Sequence, residues 1–256
     1  YVGADALAAV GTCGSLGFLF FSLSSGLAVG IGILAAQYFG ARDTEKIRAT
    51  IANATYILLL AGTAVSLFGF FGADWLLHLL QVPEDIFPMS LSYLRVTSLG
   101  IVAVALYNGV ASLLRALGDS KSPLYFLIFS CFLNIVLDLL FVLKLNMGVF
   151  GVGLATVISQ AVSFLVSMVY AMTKVSYFRL SPQEWKPQKQ IIRRCMELGI
   201  PMALQSTLIS LSTMVLQGVV NGFGQTVMAA YTVVGKVEQL VQMPYSSLST
   251  AITSFA

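Results

Sequence analysis

Long stretches without a single charge constrain this chain more than any other feature. No Asp, Glu, Lys or Arg occurs in 6–41, 49–73, 96–114, 145–173, 198–235 or 239–256, and 122–143 holds one, Asp138. About 20 apolar residues span the hydrocarbon core of a bilayer as a helix. Only helices and closed barrels satisfy every backbone N–H and C=O in that medium, and barrel strands would alternate with a period of two where these windows are apolar throughout. The composition agrees: 57% of residues are hydrophobic and 10% charged, against about 25% charged in a soluble domain. An all-α, polytopic membrane protein is expected. A soluble enzyme and a disulfide scaffold are excluded, as is a nucleic-acid binder, since the net charge is only +3. The three cysteines, Cys13, Cys131 and Cys195, are odd in number and unpatterned, so they read as free thiols.

Seven spans follow, at about 7–39, 49–72, 91–114, 122–143, 149–172, 198–221 and 227–256. Their connections alternate in charge. Counting the N-terminal residues as the first junction, the second (Arg42, Lys46, Arg48), fourth (Arg115, Lys121) and sixth (Lys174, Arg179, Lys186, Lys189, Arg193, Arg194) hold 11 of the 14 Lys and Arg residues. Such a bias places the even junctions in the cytoplasm, the N-terminus outside and the C-terminus inside. In the third junction, Asp74–Pro88 reads as a short amphipathic helix at the outer interface, with Trp75 at headgroup level and His78 as a surface residue. The stretch 173–197 carries Pro182, Trp185, Pro187 and the Arg193–Arg194 pair, and reads as a linker that ends in a cytoplasmic interfacial helix.

A shift of 221 residues aligns Gly3, Asp5, Ala8 and Ala9 with Gly224, Thr226, Ala229 and Ala230, and Leu27 and Ile31 with Leu248 and Ile252. With the linker at 173–197, the repeat divides the chain into 1–172, a first lobe lacking its first helix, and 198–256, the start of a second. Both chain ends read as cut, so the sequence is expected to be a fragment of two parallel six-helix lobes, a transporter plan.

Ionisable residues inside a span face a partner or a water-filled cavity, because burying them in hydrocarbon costs several kcal/mol. Asp138 is the clearest case. Asn134 lies one turn deeper on the same helix face. Asp138 is six residues from Lys144, about 9 Å below the outer end of its helix. Thr156 lies roughly 10 Å into the next helix if that helix starts near Val149. A carboxylate, an amide oxygen and a hydroxyl at matched depth suit Na⁺ or a proton; the alternative is that they only hydrogen-bond neighbouring helices. Lys236 and Glu238 are two apart and do not share a helix face. Gly26-x-x-x-Gly30 permits close helix approach, and Pro201 and Pro244 can bend their spans.

The residues ALAAVG at 6–11, AQYFGAR at 36–42, YLR at 93–95, LLRALGDSKSP at 113–123, NIVLD at 134–138, GVGLATVISQ at 151–160 and LGIPMALQ at 198–205 resemble, in order and spacing, the multidrug and toxic compound extrusion (MATE) transporters. The resemblance implies twelve helices in two lobes that open alternately to each face, of which this chain holds the second through part of the eighth. It implies an antiporter rather than an enzyme, exporting cationic or amphipathic small molecules against H⁺ or Na⁺, with no other cofactor. A bacterial cytoplasmic (inner) membrane and a monomer are expected. The family's cation site maps onto Asn134, Asp138 and Thr156, where Na⁺ would bind. Tyr93 and Asn108 match its hydrogen-bond network, and Gln205 and Gln160 are substrate-path candidates. Arg115, Gly118, Asp119 and Pro123 match a cytoplasmic turn. Two other readings stand beside this one: a lipid-linked saccharide flippase of the same superfamily, and a seven-helix receptor or retinal protein.

Overall fold

The computed structural model describes residues 4–80 and 82–221, with scattered positions between 234 and 252. All regular structure among the described residues is helical: α1 (Ala4–Gly40), α2 (Thr44–Phe71), α3 (Ala73–Leu79), α4 (Phe87–Ala116), α5 (Lys121–Leu139), a π-helical turn (Leu140–Lys144), α6 (Gly148–Lys174), a 3₁₀ turn (Ser176–Phe178) and α7 (Lys189–Asn221). Among the described residues, α1, α2, α4, α5 with its π extension, and α6 are long and apolar enough to cross a membrane. Most of the seventh expected span, with Lys236, and the repeat positions Gly3, Gly224, Thr226, Ala229 and Ala230 lie outside the described residues.

The ends of the helices follow from local chemistry. After α1, Arg42 takes a left-handed φ of 57°. The Asp43 carboxylate then accepts the Lys46 backbone N–H at 3.1 Å, capping α2. Pro88, in the first turn of α4, needs no hydrogen-bonded N–H there. Between α5 and α6, Asn146 and Gly148 have φ of 51° and 56°, which reverse the chain in three residues.

Two boundaries differ from the sequence reading. The outer amphipathic helix ends at Leu79 rather than near Pro88, because Pro83 pushes Val82 out of helical geometry and the Val82 N–H caps back onto Leu77 O at 3.2 Å. The interfacial helix and the span expected from 198 are one continuous helix, α7, with Pro201 inside it. Charge marks where a chain meets water, not where its helical hydrogen bonding stops.

The junctions at 41–43, 117–120 and 175–188, which hold or are flanked by Arg42, Lys46, Arg48, Arg115, Lys121, Lys174, Arg179 and Lys186, share one end of the bundle, here termed the basic end. One buried cluster lies there, joining Leu34, Ile47, Ile51, Leu113, Leu114, Phe178, Ile191 and Cys195. A second, with Cys13, Phe20, Leu77, Leu94 and Ile101, fills the opposite end. α1 packs along α4 and α7, α4 along α6 and α2, and α5 mainly along α6. Where lipid is as apolar as Leu, helices associate through close packing of small residues and interhelical hydrogen bonds. Accordingly α6 turns Gly151, Ala155, Ser159, Ser163, Ser167 and Ala171 inward at strict four-residue spacing, all of them buried. The outer face of α5 is bare, with Phe132 67% and Ile135 57% exposed.

Candidate functional site

The site is built by the register between three helices. Ser163 Oγ donates to Phe126 O and Ser130 Oγ to Ser159 O, each at 3.2 Å. α5 and α6 are antiparallel, so each turn outward on α5 meets one turn back on α6. The next turn therefore sets Asn134 opposite Ala155–Thr156, and the one after sets Asp138 opposite Gly151–Val152. On the other side, α4 runs parallel to α6. A Cβ placed on Gly153 would lie 3.4 Å from Tyr93 Cδ2, and one on Gly100 would lie 2.9 Å from Val157 Cγ2. Tyr93 thus stands within one turn of the Asp138 level.

Asn134 and Thr156 therefore share one level, while Asp138 and Tyr93 lie about one turn outward of it, so the matched depth expected of Asp138 and Thr156 does not hold. Asn108 lies apart from both levels. Thr156 is level with Leu99 of α4, and nine residues separate Leu99 from Asn108, about 13 Å toward the basic end at 1.5 Å per residue. Gln160 is half-buried one turn from Thr156, and Gln205 is exposed on α7 beyond Pro201.

Within this two-level layer, Asp138 Oδ1 and Asn134 Nδ2 are buried with no hydrogen-bond partner, as is Asn108 Nδ2 lower down. Leaving such an atom unpaired costs about 1–3 kcal/mol, more for a charged group, so an unpaired pair on adjacent levels marks a place built for something else. Thr156 donates its hydroxyl proton to Val152 O at 3.0 Å, which leaves the oxygen lone pairs as acceptors. A carboxylate oxygen, a hydroxyl oxygen and the Asn134 amide oxygen suit a hard monovalent cation or a proton on Asp138, while the unpaired Asn134 Nδ2 can only donate. The π-helical turn Leu140–Lys144 follows directly after this layer, and such turns are frequent at functional sites. No periodicity in LDLLFVLK announces it.

At the basic end, Asp119 caps the start of α5. It accepts the Ser122 N–H at 3.0 Å and the Tyr170 hydroxyl at 2.9 Å, while Gly118 takes φ 92°. Burial alone would raise the Asp119 carboxyl, but these donors outweigh it and hold the group below the usual carboxylate range. Tyr107 OH donates to Pro123 O at 3.0 Å. Of the lone polar groups, His78 donates from Nδ1 to Asp74 O at 2.8 Å and lies near the Phe87 ring, as befits a surface residue. Glu238 is exposed and accepts from Gln242 Nε2 at 2.9 Å.

The close helix approach expected at Gly26-x-x-x-Gly30 is found, with a partner the sequence did not name, and two further features were missed. Gly26-x-x-x-Gly30 meets Ala203 and Gly199 of α7 so closely that a Cβ on either glycine would overlap their backbone. Asn53, fully buried near the start of α2, accepts the Gln188 N–H at 2.9 Å. The small-residue row of α6 was visible as G-x-x-x-A-x-x-x-S-x-x-x-S, but only its partners give it meaning.

The MatE family model matches residues 1–140. The chain is similar to the probable multidrug resistance protein YoeA of Bacillus subtilis, with 33% identity over 263 residues, all of this chain and 57% of YoeA. It is also similar to solved structures of a multidrug resistance MATE family transporter of the MOP superfamily. The outward-facing conformation superposes with TM-score 0.90 at 25% identity, covering 99% of this chain and 56% of that one. The inward-facing conformation gives TM-score 0.82 at 25% identity, covering 94% and 56%. The chain spans about half the length of the relatives it matches.

Proposed function

The chain belongs to the MatE family, and from that premise we propose that it forms the cation-coupling lobe of a secondary antiporter that exports cationic or amphipathic small molecules. In this reading α1 to α6 belong to the first lobe and α7 opens the second, in a protein of two six-helix lobes. The even junctions face the cytoplasm of a bacterium, because they carry the basic residues. Membership of a transporter family displaces the receptor or retinal reading, and no interior Lys or Arg among the described residues of α1–α6 offers a flippase its pyrophosphate site.

The observation that carries the proposal is the layer in which Asp138 Oδ1 and Asn134 Nδ2 are buried and unpaired. H⁺ or Na⁺ entering from outside neutralises Asp138, with Thr156 and the Asn134 amide completing its surroundings. Exported compound and cation then exclude one another: the cation's arrival removes the negative charge that holds a cationic substrate, and alternating access carries each across. In the full-length protein, Asp138→Asn is expected to abolish ion-driven efflux from everted vesicles at unchanged expression. Undiminished export by that variant would overturn the assignment.

A further inference from the structure

We infer that the lobes hinge inside α7, at Gly199–Pro201, and that the linker before it is a fixed part of the first lobe. This rests on the alternating-access reading above and adds where the motion is seated.

The linker is fastened along its length. Arg48 pairs with Glu184 at 2.8 Å and donates to the carbonyl of Arg179. Arg179 in turn donates from Nε to Met172 O at 3.1 Å. Tyr56 OH donates to Trp185 O at 2.9 Å, and the two rings meet edge to face at 5.9 Å. Asn53 is fully buried; it donates to Ala49 O at 2.8 Å and accepts the Gln188 N–H at 2.9 Å. Phe178 is buried in the same cluster as Ile47 and Ile51. Swinging the linker away would strip the buried Asn53 of its partner and break several more exposed bonds at the same time.

The first turns of α7 are held as firmly, since Ile191 and Cys195 lie in that cluster with Leu34 and Ile51, and Leu198 packs against it. The character changes at Gly199-Ile200-Pro201. Pro201 has no N–H for the carbonyl of Glu197, and Gly199 is the most permissive residue a helix can place beside that gap. Beyond it, Leu204, Leu208 and Ile209 are 55–62% exposed. Gly26 and Gly30 of α1 meet Ala203 and Gly199 backbone to backbone. At these points, on both sides of the proline, the two helices touch through small residues, with the Leu27 side chain against Gly199, which favours a tilt of the outer part of α7 from α1 at this level.

The test uses the full-length protein in nanodiscs, with Cys131→Ser and spin-label pairs joining Lys144 to Lys186, Arg194 or Leu211, read before and after adding Na⁺ or acidifying. The Lys144–Leu211 distance is expected to shift by more than the width of its distribution, while the pairs to Lys186 and Arg194 stay put. Pro201→Ala should shrink the shift and slow transport. If the Lys186 and Arg194 pairs move with Leu211, the hinge lies in the linker and the inference is wrong. If the Leu211 distance is static while labels elsewhere in the second lobe move against the first, the hinge is also wrong but alternating access stands. If nothing moves, alternating access falls and the hinge with it.

Discussion

Ser130 donates its hydroxyl to the carbonyl of Ser159 at 3.2 Å, and this bond sets the level at which α5 offers its polar residues to α6. One turn outward lie Asn134 and Thr156, and two turns outward Asp138. Asn134→Leu and Thr156→Val are each expected to raise the ion concentration for half-maximal efflux about 10- to 100-fold, the worth of a hydrogen bond to a charged group. Asn108→Leu, lower on α4, is expected to change it less than about threefold, taking net hydrogen-bond worth of about 0.5 kcal/mol. An Asn108 effect as large as that of Asn134 would show that the layer is drawn wrongly.

Gly30 and Gly11 lie on one helix yet should respond oppositely to a side chain. A Cβ on Gly30 meets the backbone of Gly199, whereas one on Gly11 meets nothing within 4 Å. Gly30→Leu is expected to cost about 1–3 kcal/mol, as overpacking does. Gly11→Ala should leave stability unchanged or raise it by up to about 1 kcal/mol through helix propensity. Thermal unfolding in detergent compares the two, and equal melting temperatures would contradict the close approach.

Asn53→Leu leaves the Gln188 N–H without its acceptor, at an expected cost of about 1–3 kcal/mol. The linker should then open more often, so trypsin should cut after Lys189 faster than in the parent; the Lys186–Pro187 bond resists trypsin in both. An unchanged cleavage rate would mean that Asn53 does not hold the linker.

Asp119 gives a pH dependence with a definite sign. Its folded pKa lies below the ordinary value because the Ser122 and Tyr170 donors outweigh burial. Its contribution is therefore full above the unfolded pKa of about 3.9 and is lost as pH falls through the lower folded value. The melting-temperature gap between the parent and Asp119→Asn is expected to be constant above about pH 5 and to close below about pH 4. A gap that persists undiminished at acid pH would remove the carboxylate from the turn's stability.

The five spans carried by α1, α2, α4, α5 and α6 were legible to within a few residues, and so was the prominence of Asp138. Asn134 was legible as its neighbour because a four-residue step keeps one helix face. Tyr93 entered only through family likeness, since nothing within α4 marks it. Its level with Gly153, like the depth that separates Asn108 from the layer, belongs to contacts between helices. The π-helical turn, the anchoring by Asn53 and the meeting of Gly30 with Gly199 were likewise hidden.

By itself the sequence determined that this chain is a set of membrane helices, because apolarity and missing charge are local properties that add along the chain. It also determined which residues are costly enough in lipid to demand a purpose. The tertiary structure alone decided which of them share a level, and that the linker is fastened to α2 while α7 runs unbroken through Pro201. Register and anchoring come from pairs such as Ser130 with Ser159 and Asn53 with Gln188, whose partners are 29 and 135 residues apart, beyond the reach of any local pattern.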